Sequence, residues 1–271
     1  MTGEALISTT DLAISSALLL ANAGISLALR LGVARSLLVA AVRALVQLLL
    51  VGMVLRTVFA LQSPWLIGLV ALFMFASASR EVYARQQRKL KGLWGFGIGA
   101  GTTMVAMVLA TFLGLLVLRP HPWWSAEVLI PLVGLVLGNI MNGVSLTLNA
   151  FSSGLVRERS AIEARLALGA TRQQALGSLQ RRAVHAGVIP ALNQMSAAGI
   201  ITLPGMMTGQ ILAGMSPFEA AKYQILVLFL IGGGAALGAI AVSGWMAQRV
   251  SDERDRLRLD RLESPAQDDA A

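Results

Sequence analysis

Cysteine is absent from the 271 residues, which excludes disulfides and thiolate metal sites. Histidine occurs only at His121 and His185, too far apart in sequence to suggest an imidazole metal centre. Charged residues make up 13% of the chain, too few to clothe a soluble domain of this length. No G-x-x-x-x-G-K-[ST] phosphate loop occurs, and neither glycine stretch, Gly95 to Gly101 or Gly232 to Gly238, is followed by Lys-Ser/Thr. No Lys or Arg precedes Arg30, while Glu4 and Asp11 are acidic. The basic leader of a secretory signal is therefore missing, although Ala21-Asn22-Ala23 mimics a cleavage site.

What is present is apolar. Hydrophobic residues make up 56% and the mean hydropathy is +0.70. They fall in runs of roughly 20, the length a helix needs to cross about 30 Å of hydrocarbon. The expected fold is all-α, a polytopic transmembrane helical bundle of about seven spans. These lie near 10–29, 37–59, 64–79, 93–118, 127–150, 188–212 and 222–247. Pro64 suits the first turn of the third span. In a bilayer the two glycine stretches let helix backbones approach closely.

The net charge of +8 does not form a nucleic-acid stripe, because the basic residues sit between the apolar runs. The segments 30–36, 80–92, 151–187 and the tail from 248 hold almost all of them, against Arg56, Arg119 and Lys222 on the other side. That bias places the first set in the cytoplasm, the N-terminus outside and the C-terminus inside. Residues 1–250 read as a transmembrane domain and 251–271 as a charged cytoplasmic tail. The tail is expected to extend a helix briefly and to be disordered from Ser264-Pro265 onward. Trp123 and Trp124 in an outer loop suit the aromatic belt at headgroup level.

The long segment 151–187 carries Leu155, Ile162 and Leu166 at helical spacing, then Gly169 as a helix C′ residue. Thr171 with Gln174 forms a capping box that opens a second helix, with Leu176, Leu179 and Ala183 on one face. This charged hairpin is either an amphipathic element lying on lipid or a rigid corner that docks a soluble partner.

Several polar residues fall inside the spans. Arg43 and Gln47 lie one turn apart in the second, where Arg43 either snorkels to the interface or serves the pathway or packing. Asn139, Asn142, Ser145, Asn149 and Ser152 share one face of the fifth, so that face must meet protein or water. Pathway lining and interhelical packing are both open to it. The sixth passes Asn193 and Gln194 and should kink or break at Pro204-Gly205. Met206 and Met207 there either offer soft thioether contacts or pack. Glu127 sits at a span edge, and the bundle near the methionines offers no carboxylate for a hard cation. The literal Glu219-Ala220-Ala221 is a decoy; Ser216, Pro217 and Glu219 instead open the last span as N-cap, N1 and N3.

Glu163-Ala164-Arg165-Leu166-Ala167-Leu168-Gly169 resembles the E-A-A-x-x-x-G loop by which ABC permeases contact their ATPases. It departs from that loop at Arg165, which replaces the second Ala, and in lacking the later I-x-L-P at its usual distance. A longer string is similar to the FetB-type permease family. It comprises Arg43-Ala44-Leu45-Val46-Gln47, Gly138-Asn139, Leu168-Gly169-Ala170-Thr171 with Gln173-Gln174-Ala175, Leu203-Pro204-Gly205-Met206-Met207-Thr208-Gly209, and Pro217 with Lys222-Tyr223-Gln224-Ile225. Bacterial members are associated with iron export and plant relatives with aluminium tolerance. The resemblance implies a bacterial inner-membrane permease that exports a metal ion. It would pair as a homodimer and bind two cytosolic ABC ATPase subunits through Glu163, Ala164, Gly169, Ala170, Thr171 and Arg172. This chain would hold no cofactor and no catalytic residue; ATP and Mg would sit in the partner. A stand-alone channel or secondary carrier is the alternative, and a nucleotide sugar or other small solute the alternative substrate.

Overall fold

A computed structural model describes residues 9–252 and 254–263. Among these the structure is helical apart from isolated bridges. The helices are α1 (Thr9–Ala28), α2 (Ala34–Leu61), α3 (Pro64–Ala84), α4 (Leu93–Leu118), α5 (Ala126–Arg157), α6 (Arg159–Ala167), α7 (Arg172–Ala197), α8 (Gly205–Leu212) and α9 (Pro217–Arg249). The chain divides into two compact units, Met1–Gln62 and Ser63–Ala271.

In the first unit α1 packs along α2. The apolar side chains of α2, among them Leu45, Leu48 and Met53, are exposed. A helix that is apolar on every face belongs in lipid or against protein.

In the second unit α5, α7 and α9 pack on one another, with α4 against α5 and α9 and α3 against α4 and α5. The core joins Ile140, Val144, Phe151 and Leu155 of α5 to Leu176 and Leu179 of α7 and Val242 and Met246 of α9. Small residues set the spacing. A Cβ on Gly187 of α7 would come within 2.6 Å of the Gly143 carbonyl oxygen on α5. One on Gly238 of α9 would meet Val144 at 2.9 Å. Backbones this close are what small residues permit in a membrane bundle.

Among the described residues five helices are long and apolar enough to cross a membrane: α2, α3, α4, α5 and α9. The expected fourth span is met residue for residue by α4. The first corresponds to α1, whose apolar stretch is the shorter Ser16–Ala28. The sixth departs most from expectation. Helix α7 begins at the capping box and runs unbroken to Ala197, with Pro190 inside it, so no boundary falls at 188. Nothing between Arg172 and Ala197 stops a helix once it has started, and membrane helices tolerate an internal proline. The basic first half of α7 keeps it out of the apolar set.

The break comes after Ala197. Residues 198–204 form a tight loop in which Gly199 takes φ +82° and its N–H donates to the Thr202 carbonyl at 2.8 Å. Helix α8 then starts at Gly205, with Pro204 as its N-cap. The last span opens as expected, the Ser216 side chain accepting from the Glu219 N–H.

The tail corrects a second expectation. Helix α9 ends at Arg249 and is not extended. Asp252 accepts the N–H groups of Arg254 at 2.9 Å and Arg256 at 2.8 Å, which turns the chain back. The Lys91 N–H then donates to the Arg261 carbonyl and the Glu263 N–H to the Lys89 carbonyl, both at 2.8 Å, with Leu262 buried between. The region from Ser264, expected to be disordered, lies outside the described residues.

The second unit thus has two unlike ends. A basic end gathers the 85–92 loop, α6, the start of α7 and the tail. A proline end gathers Pro64, Pro120, Pro122, Pro204 and Pro217.

Candidate functional site

At the basic end, α5 stops at Arg157, beyond the expected 150, and the chain bends at Glu158 into α6. Ile162 is fully buried in the same core as Leu155, Leu176 and Leu179. Helix α6 closes in a Schellman motif: the Gly169 N–H donates to the Leu166 carbonyl and the Ala170 N–H to that of Arg165, both at 3.0 Å, with Gly169 at φ +88°. Two residues later the capping box is complete. The Thr171 N–H donates to Gln174 Oε1 at 2.9 Å and the Gln174 N–H to Thr171 Oγ1 at 3.4 Å. Two motifs back to back make a stiff corner.

Three arginines tie the corner down. Arg182 Nη2 reaches both carboxylate oxygens of Glu158, at 2.6 and 2.7 Å. Arg159 pairs with Glu163 at 2.9 Å. Arg165, the residue that departs from the E-A-A pattern, donates to the Ala175 carbonyl at 3.3 Å and to Ser178 Oγ at 3.4 Å, stitching α6 to α7. Outward-facing residues are Glu163, Ala164, Gly169 and Thr171, with Leu168 88% exposed; Ala170 and Arg172 are partly covered.

The polar face of α5 meets protein. Asn149 spans the end of α3, its Nδ2 donating to the Arg85 carbonyl at 2.8 Å and its Oδ1 accepting from the Gln87 N–H at 2.9 Å. Asn142 accepts from Arg85 Nη1 at 2.9 Å. Asn139 bonds back to Leu135 of its own helix at 2.8 Å, and the Ser145 hydroxyl is buried without a partner. Asn193 and Gln194 are exposed on the last turns of α7. Arg43 and Gln47 are exposed on α2, in the first unit.

The proline end contains a cavity of about 410 Å³ between α4, α5, α8 and α9. Glu127, Pro131, Met206, Gln210 and Tyr223 are among its walls. Pro131 lacks the N–H that would bond to the Glu127 carbonyl, so that oxygen loses its ordinary helical partner. Gln210 Oε1 is buried without a hydrogen bond. The carboxylate that the sequence reading finds missing near the methionines thus shares a cavity with Met206. Met207, one residue on, is not in the lining. Glu127, Gln210 and Tyr223 are not among the expected site residues, although Glu127 four residues before an intrahelical proline is a usable signal. No group of three or more His, Asp or Glu that would hold a metal occurs among the described residues. The cavity offers one carboxylate, amide, phenol and carbonyl oxygens, and a thioether.

Five apolar helices of spanning length define a multi-pass membrane protein. The chain belongs to the family described as "Uncharacterised protein family (UPF0014)", whose model matches residues 9–251. Its relatives include the UPF0014 membrane protein slr1647 of Synechocystis, 38% identical over 79% of this chain and 83% of the relative. The probable iron export permease protein FetB of Escherichia coli is 30% identical over 81% of this chain and 83% of its own length. Protein ALUMINUM SENSITIVE 3 of Arabidopsis thaliana is 32% identical over 73% of this chain and 71% of the relative. The similarity to FetB-type permeases and their plant relatives seen in the motifs therefore holds along most of the chain. No solved structure matches it.

Proposed function

We propose that this chain is the membrane-spanning permease subunit of an ATP-driven ABC transporter that exports a metal cation. The observation that carries the reading is the α6–α7 corner, whose apolar side chains Ile162, Leu176 and Leu179 are buried in the bundle's own core. A hairpin built to lie on lipid would turn such residues outward. This one leaves Leu168 as its one large exposed apolar side chain, among small and polar groups, which suits a protein groove. The partner would be a cytosolic ABC ATPase that supplies ATP and Mg, with a homodimer of this chain carrying two of them. No nucleic-acid partner and no chemistry by this chain are part of the reading.

The Lys and Arg bias supports a cytoplasmic basic end, an outer proline end and seven crossings in all, α7 and α8 together making the sixth. The reading takes the membrane to be a bacterial inner membrane, with 1–250 as the permease domain and 251–271 as its tail. The cargo reading rests on the name of the E. coli relative and on the few oxygen ligands set in the otherwise apolar cavity at the proline end. Glu127, Gln210 and Tyr223 suit a hard cation and Met206 a softer one. Arg43, Gln47, Asn139, Asn193, Gln194, Pro204 and Met207 remain candidates for the pathway. Asn142 and Asn149 are better explained as the clamp on α3.

Charge reversal at Glu163 together with Leu168→Asp tests the docking claim. Co-purification of the ATPase is expected to fall sharply, and undiminished association would remove the claim. A stand-alone carrier is the competing reading, favoured by the carboxylate at the cavity. Robust cation flux in proteoliposomes containing this chain alone would select it.

A further inference from the structure

A second cavity, of about 350 Å³, opens at the basic end between Leu90, Lys91, Trp94, Arg249, Asp260 and Arg261. Three of its six walls are cations. The Arg249 guanidinium stands 3.6 Å over the Trp94 ring. Arg261 is anchored by donating to the Arg249 carbonyl at 2.7 Å. The one carboxylate, Asp260, is engaged elsewhere, both its oxygens accepting from Arg258 at 2.8 and 2.9 Å. Among the described residues Lys91, Arg249 and Arg261 make no ion pair within 4 Å, although Asp260 attracts Arg261 at longer range. Like charges gathered in a concavity repel one another and raise the local concentration of anions.

The position of the cavity narrows the choice of anion. Helix α4 begins at Leu93 and α9 ends at Arg249, so the cavity sits where apolar helix gives way to polar chain. Leu93 is 91% exposed and Trp94 55% exposed beside it, an arrangement suited to the headgroup layer. The returning tail forms the far wall, held by the bonds between Lys91 and Arg261 and between Lys89 and Glu263. We propose that this cavity is a phosphate site filled by the headgroup of an anionic phospholipid, with Lys91, Arg249 and Arg261 as its cationic wall. Basic pockets at helix ends take lipid phosphates in this way. A soluble phosphate shares the chemistry, but the apolar rim at Leu93 and Trp94 selects a ligand with an acyl chain.

The test uses the full chain in nanodiscs of phosphatidylcholine with or without phosphatidylglycerol, reading retained lipid by native mass spectrometry. Wild-type protein is expected to keep phosphatidylglycerol. Lys91→Gln with Arg249→Gln should bind it more weakly by an order of magnitude or more, at roughly fivefold per cation removed. Arg119→Gln with Lys222→Gln, at the opposite end, should match wild type. Amide exchange at Lys91 and Glu263 reports whether the tail stays seated. If the double variant unseats it, Lys91→Gln alone, which alters an exposed side chain and leaves its backbone bond intact, should still show the roughly fivefold loss. Equal retention by wild type and Lys91→Gln overturns the site. Protection in pure phosphatidylcholine by inorganic phosphate, with no preference for phosphatidylglycerol, overturns the lipid in favour of a soluble anion.

Discussion

Arg182 holds Glu158 by both carboxylate oxygens, at 2.6 and 2.7 Å, across the bend where α5 hands over to α6. The pair is half open to water, so its worth to global stability is about 1 kcal/mol or less. Its larger effect is on direction, because it fixes α6 against α7. Arg182→Ala and Glu158→Gln are each expected to shift the melting temperature only slightly while weakening ATPase co-purification. The double variant should do no worse than either single, since both disrupt the same ion pair. Additive losses in a double-mutant cycle would argue against the shared role.

The α5–α7 crossing gives a sharper contrast within one helix. Gly187→Ala puts a methyl 2.6 Å from a backbone oxygen, which must move, at a cost of about 1–3 kcal/mol. Gly177→Ala meets nothing within 4 Å and should be neutral or stabilising by up to about 1 kcal/mol. Thermal unfolding in detergent separates the two, and equal behaviour would contradict the packing.

Asn149→Ala removes two exposed bonds to the end of α3, leaving the Arg85 carbonyl and the Gln87 N–H to water. A loss of about 1 kcal/mol is expected. Asn139→Ala, which breaks only a bond to its own helix, should cost less. Faster hydrogen exchange at the Gln87 amide in the first variant alone is the direct readout.

Acid should release the tail. The backbone N–H of Arg256 holds Asp252 below its usual range, helped by the Arg256 side chain and the Arg254 N–H. The side-chain bonds from Arg258 hold Asp260 at about 2. A carboxylate lowered on folding contributes fully above its unfolded value, about 3.9, and loses that contribution as pH falls toward the folded one. Amide protection at Lys91 and Glu263 is therefore expected to be flat from about pH 8 to pH 5 and to fall below about pH 4. Asp252→Asn should weaken protection at neutral pH and blunt the acid step. A transition centred near neutrality would count against this account.

Within the transport reading, Glu127→Gln should reduce metal-stimulated ATP hydrolysis by the assembled complex at least tenfold in apparent affinity, on the order of 1.4 kcal/mol. Leu72→Ala, exposed on α3 and outside the cavity lining, should leave it unchanged. Equal effects would move the cargo site elsewhere.

Features set by near neighbours in the chain are legible in the amino-acid sequence. Gly169, Thr171 with Gln174, and Ser216 with Pro217 each act within a few residues, and each appears where its chemistry directs. The fourth span is legible because its flanks change composition abruptly. The sixth is not, because hydropathy divides a single helix at the point where its basic half meets its apolar half. The asparagine face of α5 can be said to need a partner, but Asn149 lies 64 residues from Arg85, and only packing names the partner. Glu127 reads only as a span-edge residue for the same reason: Met206 and Tyr223, which line its cavity, come from distant helices.

Helix α7 has a mechanical property that follows from its length. Its 26 residues, at 1.5 Å each, make a rod of roughly 39 Å from the Thr171 cap to the loop at Ala198. Tilting its base by about 5° would sweep the far tip sideways by roughly 3 Å if the rod stays rigid. A displacement of that size, about the width of a water molecule, would reach the loop before α8 with no relay of side chains in between.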